Sequence, residues 1–103
     1  MNAYMFLPIH LRDKAERYCA VMQETTGVDP LESSRRRPVV TARMMVAYAL
    51  LQDGYTLNAT GTILGMDHAT ISHYKDRMGD VLKAPGYEAE RAIWNKFKKT
   101  IWK

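Results

Sequence analysis

Apolar residues recur at helical spacing in five stretches of the chain, and turn-forming or polar residues separate them. The first stretch runs from about Leu11 to Thr25, carries Leu11, Ala15, Tyr18, Cys19 and Met22 on one side, and stops at Gly27. A second begins near Pro38 or Thr41, sets Met44, Ala47, Tyr48 and Leu51 on one face, and ends at Gly54. Between them, Val28 to Arg37 is expected to be a loop in which Leu31 plugs into the core. A third, short helix is capped by Thr56, carries Leu57, Gly61 and Leu64 as its stripe, and ends at Gly65. The fourth is capped by Asp67 and repeats Ile71, Tyr74, Met78 and Leu82. After Ala84-Pro85-Gly86 the fifth places Ile93, Trp94, Phe97, Ile101 and Trp102 on one face, with Lys96, Lys99 and Lys103 around it. Alternations such as Val39 to Thr41 are too brief for a strand, and no repeat is visible. The pattern predicts an all-α, five-helix bundle forming a single domain over 1–103.

The third and fourth stretches carry the most information. A helix, a tight glycine turn and a second helix make a helix-turn-helix. Gly61 inside a helix costs about 1 kcal/mol relative to alanine, which places it where another element approaches closely. The inward stripe of the fourth helix turns His68, Ala69, Ser72, His73 and Asp76 outward. Small and polar side chains thus crowd its first turns, the part that a helix lying in a major groove presents to base edges. This predicts a recognition helix; the plainer alternative is two short helices that meet only to close a core.

Charge adds a second indication through its distribution. Fifteen Lys and Arg stand against eleven Asp and Glu, a formal net charge of +4, which by itself favours nucleic acid only weakly. Arg35, Arg36 and Arg37, however, stand in a row between Ser33-Ser34 and Pro38, whose neighbours oppose a regular helix, so an exposed basic loop is expected. The alternative is a solvated charge run. Cys19 is the single cysteine and sits on an apolar stripe, so it is expected as a buried small hydrophobe in a reducing cytoplasm. The apolar patch Tyr4 to Leu7 is too short for a membrane span and lacks the basic flank of a signal peptide.

Catalysis finds little support. His68 and His73 are five residues apart and do not share a helix face as an i, i+4 metal pair does, so no metal is expected. Nothing matches GxxxxGK[ST], so no nucleotide cofactor is expected either, and the protein is read as a non-enzyme.

The order of Arg-rich loop, apolar helix, capped short helix ending in Leu64-Gly65, then Asp67-His68-Ala69-Thr70-Ile71 with His73 following, resembles the C-terminal DNA-binding domain of the bacterial replication initiator DnaA. The signature of that family is Asp-His-Thr-Thr-Val-x-His, and the resemblance covers about Arg12 to Trp102. It implies a fold similar to the Trp repressor, with Asp67, His68, Ala69 and Thr70 facing bases in sequence-specific recognition of double-stranded DNA. It further implies that His73 reaches a phosphate and that an arginine among Arg35, Arg36 and Arg37 enters the minor groove. Arg43 and Thr56 are grouped with them as contacts to the backbone or minor groove. The chain departs from the pattern at Ala69 in place of the first threonine, at Met66 where an arginine is usual, at Asn58-Ala59 where Pro-Glu is usual, and at Leu50 where a basic residue is typical. The ATPase part of full initiators is absent from this sequence.

The expected partner is thus double-stranded DNA, bound by a monomer. Two alternatives are a stand-alone dimeric transcription regulator and a helical protein-interaction module using Trp94, Phe97 and Trp102 or the Tyr4 to Leu7 patch.

Overall fold

The computed structural model describes residues 9–103, so the Tyr4 to Leu7 patch lies outside the described residues. Five helices follow one another, α1 (Ile9–Thr26), α2 (Arg37–Gln52), α3 (Leu57–Leu64), α4 (His68–Lys83) and α5 (Glu88–Ile101), with no strand among the described residues. The all-helical bundle agrees with the sequence pattern. None of the described helices is long and apolar enough to cross a membrane.

α2 is apolar on almost every side, and a helix of that kind is stable only when other elements surround it. It packs against each of the other four helices. Its residues Ala42 to Ala47 are buried in an unbroken run. Around it, Leu11, Tyr18 and Met22 of α1, Ile71 and Met78 of α4, and Phe97 of α5 are almost wholly removed from water and belong to one contiguous core. Full burial of side chains of this size is worth roughly 1.5–3 kcal/mol each against solvent exposure. Trp94 packs edge-on against Tyr48 and Trp102 and is tilted on Phe97. Trp94 and Phe97 are therefore interior residues, and only Trp102, just past α5, is substantially exposed.

Four sequence expectations are corrected. Arg37 is the first residue of α2, because Pro38 at the second position needs no donated N–H there. Leu31 does not plug into the core and is 53 % exposed. Its N–H bonds to Asp29 Oδ1 at 2.9 Å in an Asx turn, and the neighbouring Pro30 is the buried residue. On α4 the buried stripe ends on Val81, with Leu82 only partly covered. Arg43, expected at the surface, lies inside the α2 row at 9 % exposure. Cys19 is buried as expected, and burial, helped by the negative charge of Asp29, pushes its thiol up to about 11.

A polar junction closes the end of the bundle away from the arginine loop. Asp53, just past α2, accepts the Tyr18 hydroxyl on Oδ2 and the Trp102 indole N–H on Oδ1 at 3.0 Å, and Lys14 Nζ lies 3.5 Å from Oδ2. One carboxylate so ties α1, α2 and the residue after α5 together. α4 ends where Arg91 of α5 donates to the carbonyls of Val81 and Ala84 at 3.0 and 2.7 Å.

Candidate nucleic-acid interface

The candidate site is built on the turn between α3 and α4. Thr56 caps α3 by accepting the Ala59 N–H at 3.0 Å. α3 ends at Gly65, whose φ of 73° and ψ of 32° lie in the left-handed region that glycine adopts without strain. Met66 N–H bonds to Gly61 O at 2.7 Å and Gly65 N–H to Thr62 O at 3.3 Å, the paired bonds of a Schellman ending. Asp67 then caps α4, with Oδ1 accepting the Thr70 N–H at 2.8 Å. That bond holds the Asp67 carboxyl below its ordinary range, with a smaller contribution from His68.

This turn explains Gly61. The close approach inferred from the sequence is made by the turn backbone: a Cβ on residue 61 would collide with the Met66 carbonyl oxygen and lie 3.4 Å from Asp67 C. Glycine thus lets the chain fold back tightly enough to set the start of α4 against α3.

Of the expected base-facing residues, Asp67, His68 and Ala69 are exposed and Thr70 is half-buried. They lie together on the first turn of α4, although one Asp67 oxygen is already engaged in the cap. His73 is exposed one turn further on, while Ile71, Tyr74 and Met78 face the core.

The arginine loop is shaped by short-range polar bonds. Thr26 Oγ1 accepts Val28 N–H at 3.1 Å, Asp29 O accepts Glu32 N–H at 3.1 Å, and Ser34 Oγ accepts Arg36 N–H at 3.1 Å. Arg43 fixes the loop from inside. Its Nε donates to Pro30 O at 3.0 Å, and its Nη2 donates to Glu32 O and to Ser34 O, the latter at 3.3 Å. Three loop carbonyls are satisfied by one guanidinium, and Arg43 offers none of those donors to solvent. Arg35, Arg36 and Arg37 are left exposed.

The loop lies beside the α3–α4 turn, since Ser34 and Arg35 share a surface hollow with Leu64, Gly65 and Met66. A second hollow brings Arg35 and Arg37 together with His73 and also with Arg77, which sequence reasoning passed over. The available signal was its spacing: Arg77 stands four residues after His73, one turn along the same helix face. Thr56 stands apart from this group as the cap of α3, with its oxygen engaged. Among the described residues, no three of His, Cys, Asp and Glu converge as a metal site would require.

Comparison with known protein families, curated proteins and solved structures finds no match for this chain.

Proposed function

We propose that the protein binds double-stranded DNA sequence-specifically, using α3, the glycine turn and α4 as a helix-turn-helix. The observation that carries this reading is the exposed start of α4, with His68, Ala69 and Thr70 on its first turn, flanked by three exposed arginines, Arg35 and Arg36 of the loop and Arg37 at the start of α2. Small polar side chains can reach base edges in a major groove, while guanidinium groups favour the phosphates and a narrow minor groove. Burial of Trp94 and Phe97 removes two of the three aromatics that a protein-interaction surface on α5 would have used. The resemblance to the initiator domain adds a role at a replication origin or in its regulation, with α4 in the major groove and one arginine in the adjoining minor groove. Arg43 acts on the loop rather than on DNA.

Two sets of variants test this. His68→Ala and Thr70→Ala should flatten the preference among duplexes, costing about 1–3 kcal/mol at the best site while sparing non-specific binding. Combined alanine substitution of Arg35, Arg36 and Arg37 should weaken every duplex and lower the salt slope by about 1 for each phosphate no longer neutralised. Fluorescence anisotropy across a salt series, on a site selected from random duplexes, measures both. Absence of binding to any duplex at micromolar protein would refute the reading.

A further inference from the structure

The hollow that joins the arginine loop to α4 has properties that base recognition does not require. It is small, about 190 Å3, below the roughly 300–1,000 Å3 of sites that enclose a nucleotide-sized molecule. Three guanidinium groups, those of Arg35, Arg37 and Arg77, border it together with His73, against the single carboxylate of Glu90. Among the described residues Arg35 and Arg77 enter no ion pair. Arg37 lies 3.5 Å from Glu90, but three quarters of its side chain is exposed, so the pair is weak and screened.

Two helices also begin here. The first turn of α2, with Arg37, and the start of α5, with Tyr87 and Glu90, both border the hollow. Neither helix carries a side-chain cap bond at its N-terminus. The positive ends of two helix dipoles therefore add to the field of the guanidinium groups. Glu88 and Glu90, both in the first turn of α5, answer this field from within the chain, and of the two Glu90 borders the hollow.

We propose that this hollow seats one phosphodiester of the DNA backbone, at the point where the duplex passes from the loop to α4. Arg77 and Tyr87 are then backbone-contacting residues, and the phosphate takes the place of the Glu90 carboxylate beside Arg37. The inference rests on the DNA-binding reading and adds to it a single localised contact and an internal competitor. Placing the contact between loop and helix fixes the register of one against the other on the duplex.

Methylphosphonate scanning tests it. Each phosphate of the selected duplex is replaced in turn by the neutral analogue, and affinity is measured for the wild type, Arg77→Gln and Glu90→Gln. Arg77 is exposed and glutamine is a good helix former, so the first variant should fold. In the wild type one position, between the loop end and the helix end of the site, should cost about tenfold, as expected for a charge-assisted hydrogen bond. Arg77→Gln should lose a similar factor on the unmodified duplex and become indifferent to substitution at that position. Glu90→Gln should tighten binding a few-fold at low salt, by freeing Arg37. Millimolar inorganic phosphate at constant ionic strength should leave duplex binding unchanged; competition would mark a site for free phosphate and overturn the proposal. An Arg77→Gln profile that still matches the wild type at every position, or weaker binding by Glu90→Gln, would overturn it while leaving DNA binding intact. A wild type that bound no duplex would instead remove the reading beneath it.

Discussion

Replacing glycine by alanine should have opposite effects at two helical positions of this protein. Helix propensity favours alanine by about 1 kcal/mol at both Gly61 and Gly79. At Gly79, on α4, a Cβ meets nothing within 4 Å, so the gain should appear undiminished. At Gly61 the Cβ would overlap the Met66 carbonyl oxygen, a backbone atom of the turn. That turn cannot retreat freely, since Met66 N–H is bonded to Gly61 O at 2.7 Å. Overpacking costs about 1–3 kcal/mol and a weakened hydrogen bond about 1 kcal/mol more. After the propensity gain, Gly61→Ala should destabilise by about 1–3 kcal/mol while Gly79→Ala stabilises by about 1 kcal/mol. Urea unfolding followed by far-ultraviolet circular dichroism measures both, and the midpoints should move apart with little change in slope. In a thermal melt each kcal/mol should correspond to about 4–8 °C for a chain of this size. If both variants moved the same way, the tight α3–α4 turn would not be what requires glycine at residue 61.

Arg43→Met keeps the length and apolar stem but leaves the carbonyls of Pro30, Glu32 and Ser34 without their donor; stability should fall by about 2–4 kcal/mol. Trypsin should also cleave faster after Arg35 and Arg36, and an unchanged cleavage rate would refute the clamp. Thr60 is fully buried and, among the described residues, its Oγ1 has no hydrogen-bond partner. Thr60→Val should therefore raise stability by about 1 kcal/mol in the same urea assay, whereas a loss would reveal a bond the hydroxyl makes. Burial and the bond to Asp53 push the Tyr18 phenol up to about 12, from an ordinary value near 10. The folded state thus favours the neutral phenol, and its contribution is complete below pH about 10 and lost as pH rises towards 12, about 2–3 kcal/mol in all. Tyr18→Phe should show a shallower decline over that interval, and parallel alkaline curves would contradict the assignment.

The parts of the fold written locally were legible in the sequence. Thr56, Gly65 and Asp67 each act on backbone groups within three or four residues, so the ends of α3 and the start of α4 followed from residue type alone. The candidate interface shares that property at His68 and Ala69, whose exposure follows from the inward spacing of Ile71, Tyr74 and Met78. What escaped depends on chain segments meeting from afar. Arg43 looked like a surface cation because its acceptors are loop carbonyls nine to thirteen residues back, although an arginine in the middle of so apolar a helix was a clue to an interior task. Leu31 looked like a core residue because nothing nearby announced that Pro30 would take the inner place. The Asp53 junction joins residues 35 and 49 positions away, beyond any periodicity. Arg77 was visible as a helix neighbour of His73, but its company of Arg35, Arg37 and Glu90 arises only when α2 and α5 begin side by side.

Cys19 gives the fold a clock. With the thiol pushed up to about 11, far above neutral pH, only about one molecule in ten thousand holds a thiolate while α1 stays seated. Lifting of α1 from its neighbours uncovers the thiol, so the labelling rate should rise with those departures. Because the chain has one cysteine, every modified molecule records the same event. A single buried thiol on α1 can in this way report how often the bundle opens.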